Sequence, residues 1–209
     1  MPYPYASRKK NPAIPFYPSP IDVVRLMLNV AEPKEGQVLV DLGCGDGRVL
    51  VEAATNYGSS VVGVESNPWL ASYAYNKLLE KGIKNFKIVK GDLFEFNFSS
   101  ADIITLYLTH DALKILKPRL ESYIKPRTKL VAHDFPIPGW RPIAIESIIS
   151  VEDGKLHKVY LYDADKSFNN VGRQKRYIIQ DGEIWRKAGH GIHRVLKIRG
   201  YAHEGGEEA

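Results

Sequence analysis

From Val38 onward, the hydrophobic and polar residues alternate between a strand-like and a helix-like pattern. Short runs rich in Val, Ile and Leu predict strands, and the stretches between them place apolar residues three or four positions apart, as helices do. The predicted strands are residues 38–42, 60–65, 86–90, 102–108 and 129–133. The predicted helices between them are residues 48–56, 68–81 and 110–122. This order predicts an α/β fold with a doubly wound, mostly parallel sheet covered by helices on both faces.

The chain before this region is rich in proline. Six prolines fall within residues 2–20, which disfavours helix and strand and predicts an extended segment over residues 1–18. Ser19 and Pro20 then suit the N-cap and the first position of a helix, and the apolar spacing that follows predicts that this helix continues to about Val30.

The chain after the fifth strand predicts an antiparallel end to the sheet. Residues 143–150 and 157–164 are two predicted strands joined by a turn that contains Asp153-Gly154, so the sheet should have seven strands and a C-terminal hairpin. We therefore expect one domain over residues 19–164. Residues 165–209 form a basic extension, in which we predict a further hairpin and a disordered acidic tip.

Composition limits the class of protein. Of 209 residues, 44% are hydrophobic, but no apolar run approaches the roughly 18 residues of a membrane span, so we expect no transmembrane segment. The start of the chain lacks an apolar leader, and Cys44 has no second cysteine to pair with, which predicts a cytoplasmic location. Residues 165–203 hold nine Lys and Arg against three acids. Three interpretations stay open for this region: a weak contact with nucleic acid or an anionic surface, a solvated basic tail, or a structural hairpin whose apolar residues pack onto the main sheet.

A glycine loop, residues 43–47, follows the first predicted strand and precedes a helix. A dinucleotide fingerprint would have its third glycine where Arg48 stands, and the GK[ST] of a phosphate-binding loop is absent. The carboxylates of Asp41 and Asp46 would repel a pyrophosphate, so a cationic ligand without phosphate fits better. S-adenosylmethionine carries an ammonium and a sulfonium. The alternative is a bare strand-to-helix turn whose acids cap the helix.

Further acids follow the next two strands. Glu65 closes the second strand, where it can accept hydrogen bonds from both ribose hydroxyls, and Asp92 follows the third, where it can accept from the adenine amine. Each could instead be an ordinary helix-capping acid. The predicted cofactor-binding residues are Tyr17, Asp41, Gly43, Cys44, Gly45, Asp46, Gly47, Glu65, Ser66, Asn67, Gly91, Asp92, Leu93 and Tyr107.

The motifs VLVDLGCGDGR, GVESNPW and KGDLFE, in this order, resemble those of the seven-strand, Rossmann-like class I methyltransferases that use S-adenosylmethionine. The resemblance covers about residues 14–165. Narrower features, PFYPSPIDVVRLML, LKPRLESYIKPRTKLVAHDF and GWRP…VEDGKLHKVYLY, are similar to protein-lysine N-methyltransferases of archaea and mitochondria. This resemblance implies transfer of methyl groups to exposed lysines of protein substrates; the chain from Lys166 departs from the pattern.

The acceptor should meet the methyl group near the ends of the fourth and fifth strands. Tyr107 and Phe135 are the predicted aromatic slot, Tyr17 could form a wall, and His133 could relay a proton or be a satisfied core histidine. The fourth strand lacks the [DN]PP[YF] motif of many DNA and glutamine methyltransferases. An RNA or DNA methyltransferase that uses the basic extension stays the alternative, with a non-enzymatic binding module third. No set of residues at metal-ligand spacing stands out, so we expect no bound metal.

Overall fold

A computed structural model describes residues 14–167 in full and the backbone of three strands at 177–180, 183–188 and 191–197. The chain divides into two compact units, Met1–Ser167 and Phe168–Ala209. The first thirteen residues of the predicted proline-rich segment and the predicted acidic tip lie outside the described residues.

The first unit is a seven-stranded sheet with four helices. The helices are α1 (Ile21–Ala31), α2 (Arg48–Tyr57), α3 (Pro68–Glu80) and α4 (His110–Tyr123). The strands are β1 (Val38–Leu42), β2 (Ser60–Glu65), β3 (Phe86–Lys90), β4 (Ile103–Leu106), β5 (Lys129–His133), β6 (Ala144–Ile149) and β7 (Leu156–Asp163). Their order is β3-β2-β1-β4-β5-β7-β6; β1 to β5 are parallel, and β7 runs antiparallel to both β5 and β6. The predicted fold class is confirmed.

Two details of the sequence prediction were wrong. The fourth strand ends at Leu106, so Tyr107 and Leu108 belong to the loop that follows it. Ser19 is not a helix cap: α1 begins at Ile21, and the backbone N–H of Ile21 donates to Oε1 of Glu152 at 2.8 Å. A carboxylate from the turn between β6 and β7 therefore caps α1, and the Ser19 hydroxyl is left for another partner.

Helices cover both faces of the sheet. In the strand order, β2 lies on one side of β1, whereas β5 follows β4 on the other side, so the two crossover connections run in opposite directions across the sheet. Right-handed crossovers then place α2 and α4 on opposite faces. On the α2 side, Leu28 of α1 and Leu50 of α2 belong to one buried cluster with Leu39 and Ile103 of the strands. Residues at alternate strand positions share a face, so Asp41, two residues after Leu39, points to this side as well.

The neighbours of β1 define where a ligand can bind. This strand pairs with β2 on one side and β4 on the other, so the strand order reverses there. Ligands of open α/β sheets bind in the crevice beyond the carboxyl ends of the strands at such a reversal. The topology therefore predicts a site beyond Leu42, Glu65 and Leu106.

The second unit contains a three-stranded antiparallel sheet of order β10-β9-β8. Its strands are β8 (Tyr177–Gln180), β9 (Glu183–Ala188) and β10 (Gly191–Lys197). The pair β8 and β9 lies where the sequence predicts a hairpin, whereas β10 was not predicted. Within the described parts of both units, no helix is long and apolar enough to cross a membrane.

Candidate active site

A cavity of about 420 Å³ opens at the carboxyl ends of the central strands. Most of the predicted cofactor-binding residues line it: Tyr17, Asp41, Gly43, Cys44, Asp46, Glu65, Ser66, Asn67, Gly91, Asp92, Leu93 and Tyr107. Four predicted site residues, Gly45, Gly47, His133 and Phe135, do not line it. The structure thus brings residues from five separate stretches of sequence to one place.

Asp41 is a buried acid at the base of the cavity. Its side chain is 5% exposed, and the hydroxyl of Thr105 on β4 donates to its Oδ1 at 2.7 Å. Burial, and then the nearby carboxylates of Glu65 and Asp46, raise the pKa of Asp41 to about 7, against the opposing effect of the Thr105 hydrogen bond. An ionised Asp41 is therefore poorly stabilised until a cation enters the cavity.

Asp46, in contrast, is already paired with two cationic side chains, those of Arg48 and Lys77. Arg48 forms a two-pronged pair with it, Nε to Oδ1 at 3.0 Å and Nη2 to Oδ2 at 2.8 Å, and Lys77 Nζ lies 3.3 Å from Oδ2. Burial opposes ionisation of Asp46, but the hydrogen bonds and charges of Arg48 and Lys77 lower its pKa below the usual value. Both predicted acids line the cavity, and they differ in that Asp46 is paired with Arg48 and Lys77.

Glu65 connects the end of β2 to the glycine loop. Its Oε2 accepts from the backbone N–H of Gly45 at 3.0 Å, and its Oε1 accepts from that of Asn67 at 2.7 Å. Asn67 in turn caps α3, because its Oδ1 accepts from the N–H of Trp69 at 2.9 Å. These bonds fix the orientation of the Glu65 carboxylate at the cavity wall before any ligand binds.

Two glycines of the loop are required by close packing. A Cβ atom on Gly45 (φ +52°) would overlap the ring of Phe16. A Cβ atom on Gly47 (φ +77°) would lie 2.9 Å from the Cβ of Ala74 on α3. The glycine loop therefore packs closely against Phe16 of the cavity wall on one side and against α3 on the other.

Residues 14–19, which we call the N-terminal strap, form part of the cavity wall. Arg48 Nη1 donates to the backbone carbonyl of Ser19 at 2.7 Å, and the Ser19 hydroxyl lies 2.8 Å from Nδ1 of His133. Phe16 and Tyr17 stay 44% and 67% exposed. The strap is thus anchored at its C-terminal end and presents aromatic rings at the cavity.

Tyr107 lines the part of the cavity where the sequence predicts the acceptor. Its ring stacks on that of His133 with centroids 3.9 Å apart, and the Phe135 ring lies 6.5 Å from it. His133 is fully buried behind Tyr107, and burial lowers the pKa of His133 to about 4, so it is neutral at pH 7. Of the two roles predicted for His133, its position disagrees with the catalytic contact and agrees with the core histidine, because it does not line the cavity and its buried ring packs against Tyr107.

Several lining residues were not predicted. They are Ile14, Pro15, Phe16, Pro18, Ser19, Met27, Arg48, Val49, Val64, Leu70, Phe94 and Leu108. Three of these residues, Arg48, Phe94 and Leu108, come directly after predicted site residues, so their position in the sequence could have identified them as lining residues. Met27 and Leu70 reach the cavity from α1 and α3, and only the packing of those helices reveals this.

Comparison with known proteins agrees with the geometry. The family description "ANTKMT methyltransferase domain" matches residues 41–144. A protein-lysine N-methyltransferase of Saccharolobus islandicus is 40% identical over 154 residues, covering 72% of this chain and 94% of that protein. The chain belongs to the protein-lysine N-methyltransferase family. The resemblance predicted from the motifs is therefore confirmed.

A more distant member of the family and a solved structure extend the comparison. The adenine nucleotide translocase lysine N-methyltransferase of Mus musculus is 26% identical over 155 residues, which is 74% of this chain and 65% of that protein. An RNA methyltransferase of Salinibacter ruber, in complex with S-adenosyl-L-homocysteine, is 36% identical with a TM-score of 0.65, covering 71% of this chain and 94% of that one. Relatives described as acting on protein and on RNA thus share this fold.

Proposed function

We propose that this protein uses S-adenosylmethionine to methylate the ε-amine of lysine side chains in other proteins. The observation that carries the proposal is the set of groups around the cavity: the carboxylates Asp41, Glu65 and Asp92 line it near the ends of β1, β2 and β3, and Tyr107 lines it after β4. Membership of the protein-lysine N-methyltransferase family supports lysine as the acceptor.

The cavity fits this cofactor in size and in donor set. Its volume of about 420 Å³ lies within the range of about 300 to 1,000 Å³ typical of small-molecule sites. Asp41 would hold the methionine ammonium, because no cationic side chain of the described residues pairs with its buried carboxylate. Glu65 would accept from the ribose hydroxyls and Asp92 from the adenine amine, while the N-terminus of α2 suits the methionine carboxylate.

We further propose direct in-line transfer. When bound, the cofactor supplies an electrophilic methyl group, which the lysine nitrogen takes as the carbon–sulfur bond breaks. With a reference pKa of about 10.4, only about one lysine in 2,500 is neutral at pH 7, so the amine must first lose a proton to water. The half-buried ring of Tyr107, extended outward by Phe135, would desolvate the ammonium and lower its pKa. Orientation of the amine then supplies most of the acceleration.

The test is methyl transfer from radiolabelled S-adenosylmethionine to proteins of a nuclease-treated lysate, with the products mapped by mass spectrometry. We expect label on lysine side chains, no transfer by the Asp41→Ala variant, and a larger loss of kcat than of cofactor affinity for Tyr107→Ala. Tyr123→Ala, which removes an exposed ring of α4, is the matched control and should retain activity. Label confined to small molecules would contradict the proposal.

A second candidate, methylation of RNA, is favoured by one observation: the similarity to the RNA methyltransferase of Salinibacter ruber. The basic residues 165–203 could contact the phosphates. The same assay distinguishes the two candidates, because transfer to RNA is lost when the lysate is treated with nuclease and transfer to lysine is not.

A further inference from the structure

Three potential metal-ligand atoms meet at the end of β5, outside the cofactor cavity. Nε2 of His133 lies 2.9 Å from Nδ1 of His157, and Oδ2 of Asp134 lies 3.0 Å from His157 Nδ1 and 3.3 Å from His133 Nε2. Within residues 14–167, this is the one group of three or more His, Cys, Asp or Glu side chains that converge in this way. The proposed function uses none of the three atoms.

Local backbone structure creates the meeting point. His133 is the last residue of β5, and β7 pairs antiparallel with β5 so that His133 lies opposite Val159, two residues from His157. Asp134 follows with φ +56°, a left-handed conformation that non-glycine residues rarely adopt. This conformation turns its side chain back toward β7, where Oδ1 accepts from the backbone N–H of Lys158 at 2.9 Å.

Each of the three ligand side chains is oriented by a separate outer partner. The Ser19 hydroxyl lies 2.8 Å from Nδ1 of His133, and the carboxylate of Asp153 lies 3.2 Å from Nε2 of His157. The Lys158 N–H holds Asp134. Metal-binding histidines usually donate their second ring N–H to such a partner, which directs the other nitrogen to the metal.

One pair of histidine tautomers makes all three atoms available to a cation. When Nδ1 of His133 donates to Ser19 and Nε2 of His157 donates to Asp153, the two nitrogens that face each other carry lone pairs. The facing oxygen of Asp134 is also an acceptor, so no donor lies between the three atoms. A divalent ion satisfies all three at once.

We propose that His133, His157 and Asp134 bind a divalent transition-metal ion, with Zn²⁺ as the best match. With metal–ligand bonds of about 2.05 Å, ligand atoms lie about 3.3 Å apart in a tetrahedral site and about 2.9 Å apart in an octahedral one. The three observed separations span this interval. Two imidazoles and one carboxylate suit Zn²⁺, Co²⁺ or Fe²⁺ better than Mg²⁺ or Ca²⁺. The histidine side chains are 0% and 7% exposed and that of Asp134 is 26% exposed, so water can reach the remaining position beside the carboxylate.

The site has a structural consequence for the active site. The His133 ring stacks directly on Tyr107, and Asp134 immediately precedes Phe135. A bound ion would fix the two aromatic rings that we assign to the acceptor slot, and through the Ser19 hydroxyl it would also hold the end of the N-terminal strap. We therefore assign the metal to a supporting role, without contact with the reacting atoms.

No metal was expected from the sequence, because the two histidines are 24 positions apart and share no recognisable ligand spacing. The turn residues Asp153-Gly154 gave only a hairpin prediction, whereas Asp153 also contacts His157, four residues later. His133 and His157 come together only because β5 pairs with β7, and the sequence does not predict that pairing.

The test uses the full chain without an affinity tag, stripped of metal by a chelator. Wild-type protein should bind one more equivalent of Zn²⁺ than His157→Gln in equilibrium dialysis, and Co²⁺ should give visible d–d absorption that the variant lacks. Asp153→Asn should weaken Zn²⁺ binding by about 10- to 100-fold, because it weakens the outer partner and leaves the three ligands in place. His110→Gln, which removes an exposed histidine of α4, is the control and should bind as wild type does.

Equal Zn²⁺ stoichiometry and affinity in wild type and His157→Gln would overturn the proposal. So would a Co²⁺ spectrum that His157→Gln leaves unchanged. A pH–rate profile that changes in His157→Gln, with no metal bound to wild type, would replace the metal with a proton shared between the histidines. The Zn²⁺ and Co²⁺ binding readouts are independent of whether lysine is the acceptor.

Discussion

Replacing Asp41 with asparagine should stabilise the cofactor-free protein and weaken cofactor binding at the same time. The substitution keeps an oxygen that can accept from Thr105 and removes a charge that is buried near two other carboxylates. The pKa of Asp41 rises from 3.8 to about 7 on folding. At about 1.4 kcal/mol per pKa unit, the ionised group destabilises the folded state by at most about 4 kcal/mol. Burying the amide offsets about 1 to 3 kcal/mol of this.

The pH dependence has a definite sign. Below pH 4, Asp41 is protonated in both the folded and unfolded states, so the charge has no effect on stability. The destabilisation grows as the pH rises from 4 to about 7 and is constant above that. We therefore expect Asp41→Asn to gain about 1 to 3 kcal/mol in free energy of unfolding at pH 8, and less at pH 5.

The assay is urea unfolding of the cofactor-free chain at pH 5 and pH 8, followed by circular dichroism. Asp111→Asn, at an 80% exposed carboxyl on α4, is the control and should show no such gain. Calorimetry should show that Asp41→Asn binds S-adenosylmethionine about 10- to 150-fold more weakly, because a charge-assisted hydrogen bond contributes about 1.5 to 3 kcal/mol. A gain in stability over wild type that is the same at both pH values, or a variant that retains cofactor affinity, would refute the assignment of Asp41.

Other residues around the cavity give three further expected outcomes. Glu65→Gln should weaken S-adenosylmethionine and S-adenosylhomocysteine by the same factor in calorimetry, since both contain the ribose; a selective loss of one would contradict the ribose assignment. In urea unfolding, Gly47→Ala should lower the free energy of unfolding by about 1 to 3 kcal/mol more than Gly36→Ala. Both glycines have positive φ, but only a Cβ on Gly47 would approach Ala74. Equal losses in the two variants would show that close packing against Ala74 does not require a glycine. Deletion of residues 1–18 should reduce methyl transfer far more than it lowers the melting temperature, and unchanged turnover would exclude a role for the strap.

The sequence predicts those parts of the site that depend on one strand end at a time. Asp41, Glu65 and Asp92 lie on or just after successive strands, and parallel strands bring such residues to one edge of the sheet. The periodicity of the chain also locates the helices to within two residues. These features depend on local pattern and on a general rule of sheet topology, so no knowledge of tertiary contacts is needed.

What the sequence does not predict depends on long-range partners. Ser19 looks like a helix cap, because a serine before a proline and an apolar periodic stretch is a good local signal. In the structure its hydroxyl contacts His133, 114 positions away, and Glu152 caps the helix from 131 positions away. At Asp46 the main partner, Arg48, is only two residues away, and Lys77 of α3 adds a second cation from 31 positions away. Long-range contacts therefore decide the role of Ser19 and add to a local pair at Asp46.

Ser19 also shows how the cofactor and acceptor ends of the site can influence each other. Its backbone carbonyl accepts from Arg48, which pairs with Asp46 of the glycine loop, and its hydroxyl contacts His133, on which Tyr107 stacks. One residue of the strap therefore has contacts to the loop that would bind the cofactor and to the wall that would receive the lysine. If a ligand displaced the glycine loop, these contacts would carry the displacement through Arg48 and Ser19 to His133 and the Tyr107 ring. We therefore predict that Ser19→Ala, which keeps the carbonyl and removes the hydroxyl, affects methyl transfer more than cofactor affinity; equal effects on both would contradict this route.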